Sequence, residues 1–293
     1  MAPSEKPTLK ERIEALGEYI ALREDYRGRL PGYLSRFTGY KPQNAQPPYE
    51  PLSFPPFSWL KYIPLKLEVC AFTWIGSFGG ILLIEAIMSA NTAFSEVYHA
   101  PIIITSFGAS AVLLFSAIES PLAQPRNFVL GHFVSALVGT CITRLFVLNP
   151  HYHLFLDEGG FHANVFVNGG LSMATSALAQ VLIGAVHPPA GATGLNAAVQ
   201  SQVVTLSWRY LPVILASSLI MLGWALLINN VGRRRYPVFW WKPGKVFVSA
   251  TKEQQIMERA REAREVEMAL RVEEGATLGD EEEEGSEVCR HEP

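Results

Sequence analysis

The sequence predicts an all-α integral membrane protein with six apolar segments in a 3+3 inverted repeat. Four are full spans; two carry sequence motifs and are either broken or re-entrant. Three observations predict this. Of the 293 residues, 49% are apolar. Between residues 67 and 229 the charges reduce to Glu68, Glu85, Glu96, Glu119, Arg126, Arg144, Asp157, Glu158 and Arg209, mostly at the ends of apolar runs. A soluble core of this size carries charges at helical spacing throughout. Finally, a shift of 83 residues lays Gly108-Ala109-Ser110 on Gly191-Ala192-Thr193, Arg126 on Arg209 and Ser135 on Ser218. Internal repeats of this kind build midplane sites in many transporters.

Residues 1–60 form a polar N-terminal region. Residues 8–25 have the pattern of an amphipathic helix, with a capping box at Thr8 and Glu11 and Leu9, Ile13, Leu16 and Ile20 on one face. Arg23, Arg27, Arg29 and Arg36 follow. This stretch lies either on an anionic membrane face or against the protein itself. Residues 41–58 are proline-rich and read as an extended linker.

The domain over 61–232 holds apolar runs at 67–90, 101–118, 128–148, 165–186, 189–206 and 211–231. Most approach the ~20 residues that a helix needs to cross a bilayer. The run at 189–206 is the most polar, because of Asn196, Gln200 and Gln202. Segments 91–100 and 149–164 contain no Lys or Arg, whereas Lys61, Lys66, Arg126 and Arg233-Arg234-Arg235 flank the opposite ends. Basic flanks stay cytoplasmic, so both termini are expected there and the number of passages is even. We prefer six over the four that remain if both motif runs are re-entrant.

Residues 233–293 begin with the basic triplet Arg233-Arg234-Arg235, carry Phe239-Trp240-Trp241, suited to the cytoplasmic membrane interface, and continue into a charged helix over 251–274. The last 43 residues hold 14 acidic and 6 basic residues and read as a solvating tail. Cys70, Cys141 and Cys289 form no disulfide framework. No cleavable signal is visible, so the first span is expected to direct insertion.

Candidate chemistry centres on His187-Pro188-Pro189-Ala190-Gly191-Ala192-Thr193. Prolines lack an N–H and suit the first turn of a helix. The turn that follows has little side-chain bulk, so its free N–H groups and positive dipole end lie open to an anion. His187 supplies a hydrogen bond or a proton, and Thr193 and Asn196 add neutral donors. The alternative is that Gly191 and Ala192 only permit close helix packing. Ser106-Phe107-Gly108-Ala109-Ser110 makes a second small-residue turn. By the repeat, the two turns are expected to face each other near the midplane with their N-termini aimed at one point. The expected substrate-binding set is therefore Ser106, Gly108, Ala109, Ser110, His187, Pro188, Pro189, Gly191, Ala192, Thr193 and Asn196.

Arg126 and Arg209 are expected at opposite pore mouths, drawing anions inward, or else snorkelling at span ends. Glu119 is the candidate partner of Arg126. Glu85 is a carboxylate near a span end. His132 and Asn168 lie within spans and either line a pore or pack in the core. His151, His153, Asp157 and His162 match no rigid zinc spacing, so no metal is expected. No nucleotide-binding, HExxH or nucleophile-elbow motif occurs, and neither an enzymatic activity nor a cofactor is expected. The expected partners are the lipid bilayer and a small anion; nucleic acid is not expected, and small-residue faces permit a homo-oligomer.

These motifs, with Ser120-Pro121-Leu122-Ala123-Gln124-Pro125-Arg126-Asn127, resemble the signatures of the HPP family of integral membrane proteins over roughly residues 60–231. The family is commonly described with four transmembrane segments, fewer than the six counted above. Plant and cyanobacterial members are associated with nitrite transport. Some members append CBS domains, where this chain has only its charged helix and acidic tail. The resemblance implies a membrane permease or channel for a small anion, with nitrite as the leading substrate. The competing expectation is a membrane-anchored scaffold or sensor acting through its termini.

Overall fold

A computed structural model describes residues 26–41, 45–157 and 162–241, all within one compact unit, Met1–Gly244. The helix expected over 8–25, the charged helix over 251–274 and the acidic tail lie outside the described residues. Every regular element among the described residues is helical. The α-helices are α1 (Gly32–Phe37), α2 (Leu65–Ser89), α3 (Ala93–Glu96), α4 (Ser106–Phe115), α5 (Pro125–Phe146), α6 (Tyr152–Asp157), α7 (Ala163–Leu182), α8 (Pro188–Val199), α9 (Ser201–Leu206) and α10 (Tyr210–Val231).

Four helical stretches among the described residues are long and apolar enough to cross a membrane: α2, α5, α7 and the interrupted stretch Ser201–Val231. The two motif runs differ. They form helices of 10 and 12 residues, about 15 and 18 Å long at ~1.5 Å per residue, half of a ~30 Å hydrocarbon core. Residues 101–105 approach α4 without helical structure, and Gln200, in an extended conformation, ends α8. The expected helix over 165–186 also ends early. Gly184 takes φ +63° and its N–H bonds Val181 O, while Ala185 N–H bonds Gln180 O. This closing motif needs a left-handed residue, which glycine supplies without a Cβ clash.

Packing is dense where backbones approach. α5 lies against α7, α8 and α10, while α2 lies against α4 and α10. At the α5–α8 crossing, a Cβ on Gly139 falls within 2.9 Å of Ala197 Cβ. In lipid, close packing and interhelical hydrogen bonds replace the hydrophobic drive between spans. The distribution of side chains fits that solvent. Trp74, Phe78, Leu145, Phe166 and Leu182 are exposed, whereas Ser110, His132, Ser135, Asn168, Ser176 and His187 are fully buried.

Two ends of the bundle are defined by contacts. At one, Phe115 O at the end of α4 accepts from Thr73 Oγ1 of α2 and from Arg234. Tyr236 OH donates to Ala123 O just before α5, and Arg126 reaches the carbonyls after α7. At the other, Tyr152 OH donates to Ala198 O in the last turn of α8, and Arg209, before α10, donates to Val97 O ahead of α4.

Arg36 binds the carbonyls of Asn230, Glu50, Val231 and Gly232, and Arg27 binds those of Thr38, Gly39 and Pro237. These two members of the basic stretch thus dock on the protein. The linker joins them, with Tyr49 and Leu52 donating to Arg233 O and Val231 O.

Candidate functional site

α8 begins where the prolines dictate. Pro188 and Pro189 occupy its first positions, and His187 is the extended residue before them. The His187 N–H donates to Gln180 Oε1 at 2.8 Å, which leaves the imidazole pointing into the bundle. There Nδ1 lies 2.8 Å from Leu122 O and Nε2 lies 2.9 Å from Ser110 Oγ of α4. Ser110 Oγ in turn lies 2.8 Å from Nε2 of His132 on α5. His132 Nδ1 lies 2.7 Å from Thr193 Oγ1 of α8, and Thr193 Oγ1 lies 2.8 Å from Ser106 Oγ. Five polar side chains from three helices thus form one continuous chain, each at most 2% exposed.

Aromatic walls hold the rings. Phe107 stacks on His132 with centroids 4.6 Å apart, and Phe128 presents its edge to both imidazoles at 5.3 Å. The imidazole centroids are 5.0 Å apart. Gly131 supplies the space, because a Cβ there falls 2.9 Å from His187 Cβ. Tyr210 OH fixes the backbone of α8 by donating to Thr193 O.

One carbonyl sets the polarity of the whole chain. Leu122 O can only accept, so His187 carries its proton on Nδ1 when neutral. Its Nε2 then accepts from the Ser110 hydroxyl. Ser110 Oγ accepts from His132 Nε2–H, so His132 Nδ1 accepts from Thr193 and Thr193 accepts from Ser106. These proton positions are inferred from the network. Ser106 O, 3.2 Å from Ser110 Oγ, offers the Ser110 proton a second acceptor when His187 is doubly protonated.

The expected binding residues divide sharply. Ser106, Ser110, His187 and Thr193 converge, and Pro189 and Gly191 are buried beside them. Gly108, Ala109, Pro188 and Ala192 lie on exposed faces of the same helices. Asn196 is half-buried, 3.5 Å from Thr105 Oγ1. The two helix starts do not aim at one point, as the repeat led us to expect. Ser106, the first residue of α4, lies beside Thr193, inside α8, and His187 lies beside Ser110, inside α4. The helices therefore run antiparallel past each other, and their side chains, not their free N–H groups, meet.

The arginines are partly tied down. Arg126 donates to Gly184 O at 2.5 Å and to Ile183 O at 2.6 Å, and its guanidinium lies 5.7 Å from the Trp241 ring centre. These carbonyls, left open at the end of α7, take the place of the expected partner Glu119, which is exposed. Arg209 donates to Val97 O, lies over Tyr98, and borders a cleft of ≈ 870 Å³ with Ile102, Gln200, Gln202 and Thr205.

Glu85 is half-buried on α2. Asn168 bonds Tyr152 OH, Thr143 and Ser172 in a second buried cluster. No three His, Cys, Asp or Glu side chains gather at metal-binding range among the described residues. His132, Gln180 and Tyr210 were not in the expected binding set. For His132 the signal was present, since an ionisable residue in mid-span is a functional candidate by default.

Four apolar stretches around a buried polar centre, with two short motif helices at its heart, define a multi-pass α-helical membrane protein. Residues 64–237 match the model of the HPP transmembrane region, and the chain belongs to the HPP transmembrane family. Two transmembrane proteins of Dictyostelium discoideum are similar. DDB_G0269096 is 37% identical over 181 residues, 60% of this chain and 57% of that protein. DDB_G0273707/DDB_G0273361 is 38% identical over 177 residues, 60% of this chain and 52% of that protein. This chain thus spans about half the length of the curated relatives it matches. No solved structure matches it.

Proposed function

We propose that the protein is a permease or channel for a small anion, with nitrite as the first substrate to test, and that it does no covalent chemistry on that anion. The observation that carries this reading is the meeting of α4 and α8. Their neutral donors, Ser106, Ser110, Thr193 and His187, lie side by side in the core. Hydroxyls and imidazoles that exchange their bonds within the chain for bonds to an ion suit a small, weakly basic anion that must also leave, since among the described residues no fixed cation lies beside them. The Arg209 cleft suits an entrance that raises the local anion concentration.

The same reading includes the inverted repeat. The first long helix of each half packs on the last long helix of the other, α2 on α10 and α7 on α5. Ser110 and Thr193, equivalent under the 83-residue shift, bind the two nitrogens of one imidazole, His132. The end-to-end contacts also support six passages, two of them made by short helices plus extended chain. The basic flanks support cytoplasmic termini.

The test is nitrite uptake into liposomes holding purified protein, against nitrate, formate and chloride. Gly191→Leu fills the buried first turn beside Met173 and is expected to abolish saturable uptake in a folded protein. His187→Ala is expected to reduce it. Absence of flux for every anion with folded wild-type protein would falsify the permease reading.

A further inference from the structure

We propose that the chain Ser106–Thr193–His132–Ser110–His187 is a proton relay through the bundle core, with His132 as its central carrier. The proposal rests on the transport reading of the same site and adds the species that moves with the anion. Its geometry is complete: every link is 2.7 to 2.9 Å, and each link joins a group able to give a proton to one able to take it. One end, Ser106, adjoins exposed Thr105; the other, the His187 contact with Leu122, adjoins exposed Pro121. The relay thus runs from the first turn of α4 toward the turn before α5.

Protons balance as follows. Hydronium delivers one proton to Ser106 Oγ. The Ser106 proton passes to Thr193 Oγ1, the Thr193 proton to His132 Nδ1, the Nε2 proton of His132 to Ser110 Oγ, and the Ser110 proton to His187 Nε2. His187 releases its Nδ1 proton to a water that enters at the exposed Pro121 turn, since Leu122 O accepts a hydrogen bond but does not carry the proton. Each step breaks one O–H or N–H bond and forms another; one proton enters, one leaves, and no electrons are exchanged. The bare Nδ1 then faces a carbonyl oxygen, so hydroxyls and rings must turn back before the next proton. That reset suits a slow coupled carrier better than a proton channel.

The groups around the imidazoles are few. α4 contributes Ser106 and Ser110, α7 Gln180, α8 Thr193 and α10 Tyr210. On α5, Arg126 donates to Ile183 O and Gly184 O, and Tyr236 OH donates to Ala123 O. Among the described residues no carboxylate bonds either imidazole.

The experiment places the full-length protein in liposomes containing a pH-sensitive dye. Proton entry is driven first by an external nitrite gradient and then by an inside-negative potassium diffusion potential, with protein-free liposomes as the background. Wild type is expected to acidify the lumen. His132→Gln keeps hydrogen-bonding capacity but cannot carry a proton, and is expected to slow acidification about 100-fold. Thr193→Val removes one hydroxyl at constant shape and should do the same, while Thr193→Ser should retain proton entry. This pair keeps the test decisive if His132→Gln misfolds. Acidification that persists in His132→Gln and Thr193→Val overturns the relay. So does a folded wild type that moves no protons under either driving force, even if it takes up nitrite, in which case the permease reading stands alone. Proton entry lost in His132→Gln, with no nitrite uptake, keeps the relay and removes nitrite as its companion.

Discussion

The interior chain and the bracket at the end of α10 solve the same problem with opposite chemistry. Each ties together segments far apart in sequence. The interior chain is built from neutral hydroxyls and imidazoles. The bracket is built from charge: Glu68, fully buried, pairs with Arg233 Nε at 2.5 Å and accepts from the Arg233 N–H, while Arg234 binds Phe115 O and Asn229. Arg235 and Arg36 both reach Glu50 O. Burial, and then the neighbouring Arg36, push Arg235 down to about 10. An isolated ion in a low-dielectric interior is costly, so charge collects at the rim, where carbonyls at helix ends await donors, and neutral groups occupy the middle. The difference teaches where each kind of function can sit. The rim ties the described segments before α2 and after α10 to the bundle; the interior holds neutral groups able to give and take protons.

The comparison breaks first at Glu68. Glu68→Ala leaves Arg233 without its carboxylate and is expected to cost about 3–5 kcal/mol, because the surviving charge is only 12% exposed. Thermal unfolding in detergent reads this, and an unchanged transition would show that the bracket is peripheral. A smaller effect is expected inside. Asn168→Leu removes the partner of the Thr143 and Ser172 hydroxyls and one of the two bonds of the Tyr152 hydroxyl, and is expected to cost about 1–3 kcal/mol in the same assay. A loss larger than that of Glu68→Ala would reverse the ranking of rim and interior.

The smallest effect carries a pH dependence on the alkaline side. Tyr236 is buried with its hydroxyl on Ala123 O, and burial raises its pKa well above the usual value. A raised folded pKa favours the protonated phenol, so this stabilisation is complete below about pH 10, the unfolded value, and fades as pH rises through the folded value. Tyr236→Phe should flatten the alkaline decline in stability while leaving the neutral-pH transition lowered only by its lost hydrogen bond, about 1 kcal/mol. An alkaline slope identical in both proteins would assign the decline to another group.

The long helices were legible in the sequence because bilayer thickness imposes a length on every apolar run, and α2, α5, α7 and α10 obey it. The start of α8 was legible too, since Pro188 and Pro189 leave few other conformations. The Gly184 turn that ends α7 carried a signal in its glycine, which the apolar run through Val186 concealed. The motif residues supplied four of the five side chains of the interior chain, and the repeat brought Ser110 and Thr193 to notice as equivalents. The sequence by itself therefore determined the solvent, the spans and the small-residue turns, all of which follow from local composition and backbone sterics. Only the tertiary structure decided that α4 and α8 are short and slide past each other, that Arg126 serves carbonyls and not Glu119, and that His132 links the two equivalent hydroxyls. A hydrogen bond between residues 61 positions apart leaves no local pattern; it exists only once helices bring its donor and acceptor within 3 Å.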